Sequence, residues 1–304
     1  MSAADVTFPL VPRRRLVGLS FGAMHSARRG MGSDVAGSRL YQPGDDMDTI
    51  DWAASAKLSA ARDADAFVVR EHFADEAPRA VVVCDHRPSM ALHAPPLPWL
   101  DKAATMRLAA RLIAQSVVAV RGFVGYLDYA DEGEETWEPP RSRLDLFRGE
   151  LERPFRAPEA SLDTAFARLV EHRRALPPAS FVFVLSDFLA PPGDEAWTRA
   201  LQHRWDVVPV VIQDPVWEQS FPDVAGVVVP AADPASGHVR LARLSRRDVA
   251  ARRAANEERY AELVARLEAL DLEPVLLSSS EPGEVLWAFL GWGEQRLFRR
   301  GRQR

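Results

Sequence analysis

With 304 residues, 47 % of them hydrophobic, the chain is long enough to bury a sizeable core in one large domain or two modest ones. A formal net charge of -5 gives no overall pull toward nucleic acid or an anionic membrane. The single cysteine, Cys84, excludes an internal disulfide and fits a reducing cytoplasm, and no apolar run approaches the roughly 20 residues that a membrane-spanning helix needs.

Residues 1 to 76 read as an appended region, irregular and richer in Gly and polar residues, without clear alternation of strand and helix. No apolar stretch followed by a small-residue cleavage site is visible in the first thirty positions. Arg13, Arg14 and Arg15, like Arg296, Arg299, Arg300, Arg302 and Arg304 at the other end, read as solvated, frayed termini. Tyr41-Gln42-Pro43-Gly44-Asp45-Asp46 is a turn, since proline presets the first turn dihedral and glycine permits the positive one. Tyr41 and Trp52 would pin it, and Arg39 and Asp51 would bridge it to neighbouring elements.

Residues 77 to 304 form the second unit. From Arg79 short apolar runs alternate with helix-periodic stretches, the pattern of an α/β domain. Six strands are predicted at about 79 to 85, 122 to 130, 134 to 139, 180 to 187, 206 to 213 and 272 to 278. Helices are expected at Asp101 to Val120, Leu162 to Leu176 and Arg246 to Leu270, with a last one opening at Pro282-Gly283. The expected architecture is a doubly wound, mostly parallel six-stranded sheet flanked by helices.

In such a sheet, with spatial order 3-2-1-4-5-6, the first and fourth strands flank the switch point where a crevice opens. Asp85 and Asp187 end those two strands and would face one another there, with the Ser89 hydroxyl four residues beyond Asp85. The segment from Asp85 to Ser89 resembles the metal-ion-dependent adhesion site of von Willebrand factor A domains, whose first loop reads Asp-x-Ser-x-Ser. The resemblance implies a von Willebrand factor A-like fold and a site for a hard divalent cation such as Mg²⁺, held by Asp85, Ser89 and Asp187. Arg87 stands in place of the first serine, and a guanidinium repels metal. Ala160-Ser161-Leu162 stands where the family has Thr-Ser-Leu, leaving Ser161 or Thr164 as the substitute hydroxyl. Arg87 is expected to pair with Asp85 or Asp187 in the cation's stead. The site is thus a degenerate one, and Asp85, Arg87, Ser89, Ser161 and Asp187 outline a crevice for a partner's acidic or polar group.

A second resemblance rests on the run Gly30 to Asp46, with His25-Ser26-Ala27-Arg28-Arg29 before it and Ile50-Asp51-Trp52, Ser55-Ala56-Lys57 and Glu71 after it. It is similar to the family catalogued as domain of unknown function 58, whose signature turn here comprises Arg39, Tyr41, Pro43, Gly44, Asp45, Asp51 and Trp52. That resemblance implies a non-enzymatic adaptor working with a MoxR-type AAA+ ATPase in the assembly or maturation of other proteins. The acidic run at Asp45 to Asp51 lacks calcium-loop spacing, no phosphate loop is found, and His86 with Ser89 lacks a nucleophile elbow. Two alternatives stay open: a metal-dependent hydrolase using Asp85 and Asp187, and a purely structural subunit.

Overall fold

The computed structural model describes residues 6–13, 24–29, 35–42, 47–62, 65–92, 100–131, 133–142, 150–233 and 238–302. Pro43, Gly44, Asp45 and Asp46 of the expected turn lie outside them.

The main body is a six-stranded sheet of β4 (Arg79–Cys84), β5 (Phe123–Asp131), β6 (Glu134–Arg141), β7 (Phe181–Ser186), β8 (Asp206–Ile212) and β11 (Val275–Leu277). Its order is β11-β8-β7-β4-β5-β6, with all neighbours parallel except β5 and β6. The six strands are the six read from the sequence, in the doubly wound order expected. β7 and β8 are buried throughout, which is why they read as continuous apolar runs and not as alternating ones. Pro209 has no N–H to give, and β11 pairs with β8 only beyond it, from Val210. The Pro139-Pro140 pair sits in β6, the antiparallel edge strand, where missing donors do least harm.

Two apolar layers cover the sheet. One is built by α2 (Lys102–Ala119) and α6 (Pro282–Arg302) with Met106, Ile113, Val285, Phe289 and Trp292. The other is built by α3 (Ser161–Glu171), α4 (Asp194–Gln202) and α5 (Arg246–Ala269) with Phe166, Leu169, Trp197, Leu263 and Leu267. Residues 6–13 belong to the first layer, because Phe8 stacks on Phe289 and Leu10 is buried with it, although the sequence assigns them to the appended region. Arg296, expected in a solvated terminus, is buried and grips Asp206 with two bonds of 2.9 and 3.0 Å.

The appended region is more regular than expected. β1 (Met24–Arg29), β3 (Val68–Glu76) and β2 (Val35–Leu40) form an antiparallel sheet in that order, and α1 (Trp52–Arg62) lies between β2 and β3 in the chain. β1 reads Met-His-Ser-Ala-Arg-Arg, with no β-branched or aromatic residue, so propensity alone does not announce it. Between β8 and α5 a separate two-stranded ribbon, β9 (Val228–Ala232) and β10 (Val239–Arg243), also escaped the sequence reading.

Candidate functional site

β4 and β7 pair with Cys84 opposite Leu185, so Ser186, and not Asp187, stands opposite Asp85. The one-residue offset matters because successive strand residues point to opposite faces. Asp85 and Asp187 therefore do not meet over a shared ion; each has its own cation.

Arg87 folds back on Asp85. Its Nε donates to both carboxylate oxygens at 3.0 and 2.9 Å, and its Nη2 donates to Oδ2 at 2.6 Å. Nη1 donates to the Ala190 carbonyl at 2.6 Å, and the Ser186 hydroxyl donates to Asp85 Oδ2 at 2.6 Å. The backbone N–H of Arg87 adds a bond to Asp85 Oδ1 at 2.9 Å. Burial opposes the guanidinium charge, but the Asp85 carboxylate outweighs it and holds Arg87 above its usual range.

Asp187 is met from α2. Asp101 caps that helix, accepting from the Ala104 N–H, and so makes Lys102 its first residue. The Lys102 ammonium donates to Asp187 Oδ2 at 3.0 Å and to Glu218 Oε1 at 2.5 Å. Arg87 is 5 % exposed, Lys102 3 % and Asp187 0 %. Burial works against the lysine's charge, yet Asp187 and Glu218 together raise its pKa, while burial raises that of Glu218. Leu189 N–H completes Asp187 at 3.1 Å, and Gln213 donates to its backbone carbonyl.

The sequence reading named Asp85, Arg87 and Asp187 and foresaw an Arg87 pairing. It missed Ser186, Lys102 and Glu218, because nothing local announces a lysine that opens a helix or a glutamate that stands 31 residues after Asp187 as the latter's neighbours. Ser89 lies half-buried in a short 3-10 turn, Pro88–Ala91, with its carbonyl engaged by Leu92 N–H. Ser161 is buried with a hydroxyl that has no hydrogen-bond partner among the described residues, and Thr164 turns its own hydroxyl back on the Ala160 carbonyl. Neither hydroxyl supplies a ligand to Asp85 or Asp187.

These residues do not fit Mg²⁺. Both Asp85 oxygens are filled by a guanidinium, Asp187 by an ammonium, and a cation in the crevice would lie against two fixed positive charges. Nor is Arg87 open to a partner's carboxylate as the sequence suggested: all three of its nitrogens donate inward.

Next to this pair lies a second buried group. His86 lies tilted against Phe155, and its Nδ1 stands 3.5 Å from Asp128 Oδ2, which itself accepts from the Tyr126 hydroxyl at 2.7 Å. Among the described residues neither ring nitrogen is in a well-formed hydrogen bond, and burial, outweighing the nearby Cys84 carbonyl, pushes the imidazole down to about 4. The contact with Asp128 is thus not an ion pair at neutral pH. Burial also lifts Cys84 and Asp128, which leaves the thiol protonated and inert.

In the signature region Asp51 caps α1, accepting from Ala54 N–H at 3.0 Å, and the Ser55 hydroxyl accepts from Val68 N–H at 2.8 Å. Tyr41 and Trp52 both meet Phe67 edge-on, at 6.4 and 6.1 Å. Arg39 donates to the Leu40 carbonyl at 3.0 Å.

The mixed α/β body, with its central six-stranded and mostly parallel sheet, is consistent with a von Willebrand factor A-like or Rossmann-like fold. The model of the family described as protein of unknown function DUF58 matches residues 37–263, and the chain belongs to that family. An uncharacterized protein of Mycobacterium tuberculosis is 28 % identical over 250 residues, covering 79 % of this chain and 73 % of its own. A Mycobacterium bovis protein matches with the same figures. Among solved structures, an aerotolerance-related membrane protein from Bacteroides fragilis is 12 % identical with a TM-score of 0.38, covering 72 % of this chain and 99 % of its own. The pilus adhesin SpaC from Lactobacillus rhamnosus GG is 13 % identical with a TM-score of 0.35, over 72 % of this chain and 30 % of the adhesin. No helix among the described residues is long and apolar enough to cross a membrane.

Proposed function

We propose that this chain is a non-enzymatic, metal-independent protein-interaction module that works with a MoxR-type AAA+ ATPase in the assembly or maturation of other proteins. The observation that carries the metal-independent part is Arg87 seated on Asp85, with Lys102 on Asp187, where an adhesion site would hold its cation. Ion pairs that satisfy both carboxylates leave the crevice a fixed piece of the scaffold, neither a Lewis-acid centre nor a source of activated water. The ATPase partner follows from the family resemblance, and the adaptor role fits a body whose polar centre is closed upon itself.

The test is the thermal midpoint of the purified chain in EDTA, Mg²⁺ and Mn²⁺. A ligand that binds only the native state, at a hundred times its dissociation constant, would add about 2.7 kcal/mol. The expected result is no shift, together with capture of the purified ATPase that is the same in EDTA and in Mg²⁺. A metal-dependent rise that Asp85→Ala abolishes would overturn metal independence, and failure to bind any MoxR-type ATPase from the same genome would overturn the partner.

A further inference from the structure

The ribbon of β9 and β10 takes no part in the central sheet; it stands in the connection from β8 to α5. Antiparallel pairing sets Val239 opposite Ala232, Leu241 opposite Pro230 and Arg243 opposite Val228. Residues directly opposite share a face, so Val228, Pro230, Val239 and Leu241 lie together with Arg243. That face is bare: Leu241 is 76 % exposed, Val239 63 % and Val228 57 %. The other face carries Val229, Ala231 and Ala242, all half-buried, together with the exposed Arg240.

Three further observations say what covers the bare face. A lone two-stranded ribbon is marginal in water, and a contiguous apolar patch on it marks a contact surface. The outer edge of β9 is blunted by Pro230, which has no N–H, but that of β10 has no strand partner among the described residues, and its outward N–H and C=O groups at Val239, Leu241 and Arg243 are a template for a third strand. Arg243 on the face, and Arg246 at the start of α5 beside it, are both exposed, and among the described residues neither has a carboxylate partner. An open strand edge is not tolerated in hydrocarbon, which argues for a peptide and against a lipid surface.

We infer that the β9–β10 ribbon docks an extended acidic segment of a partner protein, which adds to the ribbon edge, lays its apolar residues over Val239 and Leu241, and places its carboxylates on Arg243 and Arg246. This rests on the reading of the chain as an interaction module and names the surface and the partner chemistry.

The probe is a fluorescent decapeptide in which valine, valine, glutamate and glutamate occupy alternate positions with serines between them, so that its valines and carboxylates share one face, with the peptide carrying lysine for glutamate as control, titrated with the full chain by anisotropy. The glutamate peptide binds, more weakly as salt rises, and its affinity falls about tenfold or more in Arg243→Glu/Arg246→Glu and in Leu241→Ser. Because these side chains are exposed, the unfolding midpoints of the variants stay at the wild-type value. No binding, equal binding of both peptides, or unchanged affinity in the variants overturns the inference. Retention of the chain on phosphatidylglycerol vesicles, lost in the same variants and without peptide binding, overturns it in favour of lipid. Purified MoxR-type ATPase assayed in parallel separates the two readings. Equal capture by wild type and variants sinks the ribbon as the docking site and leaves the module reading standing. Peptide binding without ATPase capture sustains the ribbon and sinks the ATPase assignment.

Discussion

Arg87 and Lys102 carry the polar centre of the molecule, and their cost and benefit can be separated. Removing one member of a buried pair leaves an uncompensated charge, worth about 3–5 kcal/mol, whereas replacing both members by apolar groups of similar size is often close to neutral. Arg87→Met is therefore expected to lower the unfolding free energy by about that amount in urea titrations, and Asp85→Leu/Arg87→Met to recover most of it. A loss under about 1 kcal/mol in the single variant would mean that Asp85 finds water or another donor. His86 gives a pH-dependent counterpart. Its folded value of about 4 lies below the ordinary 6.5, so the unfolded chain binds the proton first as pH falls. Stability from the neutral imidazole is fully present above about pH 6.5 and is lost toward pH 4, by about 3 kcal/mol. Urea midpoints of wild type and His86→Leu at pH 7 and pH 4 isolate it: the variant should lose less stability between them, and parallel losses would show that His86 takes no part. Of these residues Arg87 was legible in the sequence, since it stands at a ligand position of a known loop pattern. Lys102 was not, because its contact with Asp187 spans 85 positions.

Among the elements, α6, β8 and the amino-terminal segment are joined at Asp206. Arg296 holds both of its carboxylate oxygens, the Arg13 N–H donates to the same carboxylate at 2.8 Å, and Arg296 also donates to the Val11 carbonyl at 2.9 Å. The guanidinium stands 4.2 Å from the Trp292 ring centroid as well. Arg296→Ala should cost about 3–5 kcal/mol and raise amide exchange at Phe8 and Arg13, whose N–H groups donate to Ser116 and Asp206, before the sheet strands exchange. If exchange there keeps its wild-type rate, Phe8 and Leu10 alone hold the segment. Composition pointed the other way here, because five arginines in the last nine residues read as a solvated tail. The strand runs of β4, β7 and β8 were legible for the opposite reason: burial on both faces forces an unbroken apolar sequence. β1 and the β9–β10 ribbon lack that constraint, so their residues carry no period that a local reading can find.

For the whole molecule, the sequence by itself determined the six strands, their order, the flanking helices other than α4 and the placing of Asp85 and Asp187 at strand ends by the switch point. Each of these follows from chain-local hydrophobic patterning combined with the handedness and connection rules of parallel sheets. Only the tertiary structure decided what the carboxylates do. The pairing register set Ser186 opposite Asp85, α2 brought Lys102 to Asp187, and Glu218 arrived from the loop after β8, so that three ion pairs, Arg87 with Asp85 and Lys102 with both Asp187 and Glu218, stand at the expected metal position. It also decided which arginines are tail and which are clasp, and which strands remain outside the sheet with an apolar face uncovered. Those outcomes depend on contacts between residues tens of positions apart, whose energies come from burial and mutual charge in the folded state and leave no mark on the spacing of residues along the chain.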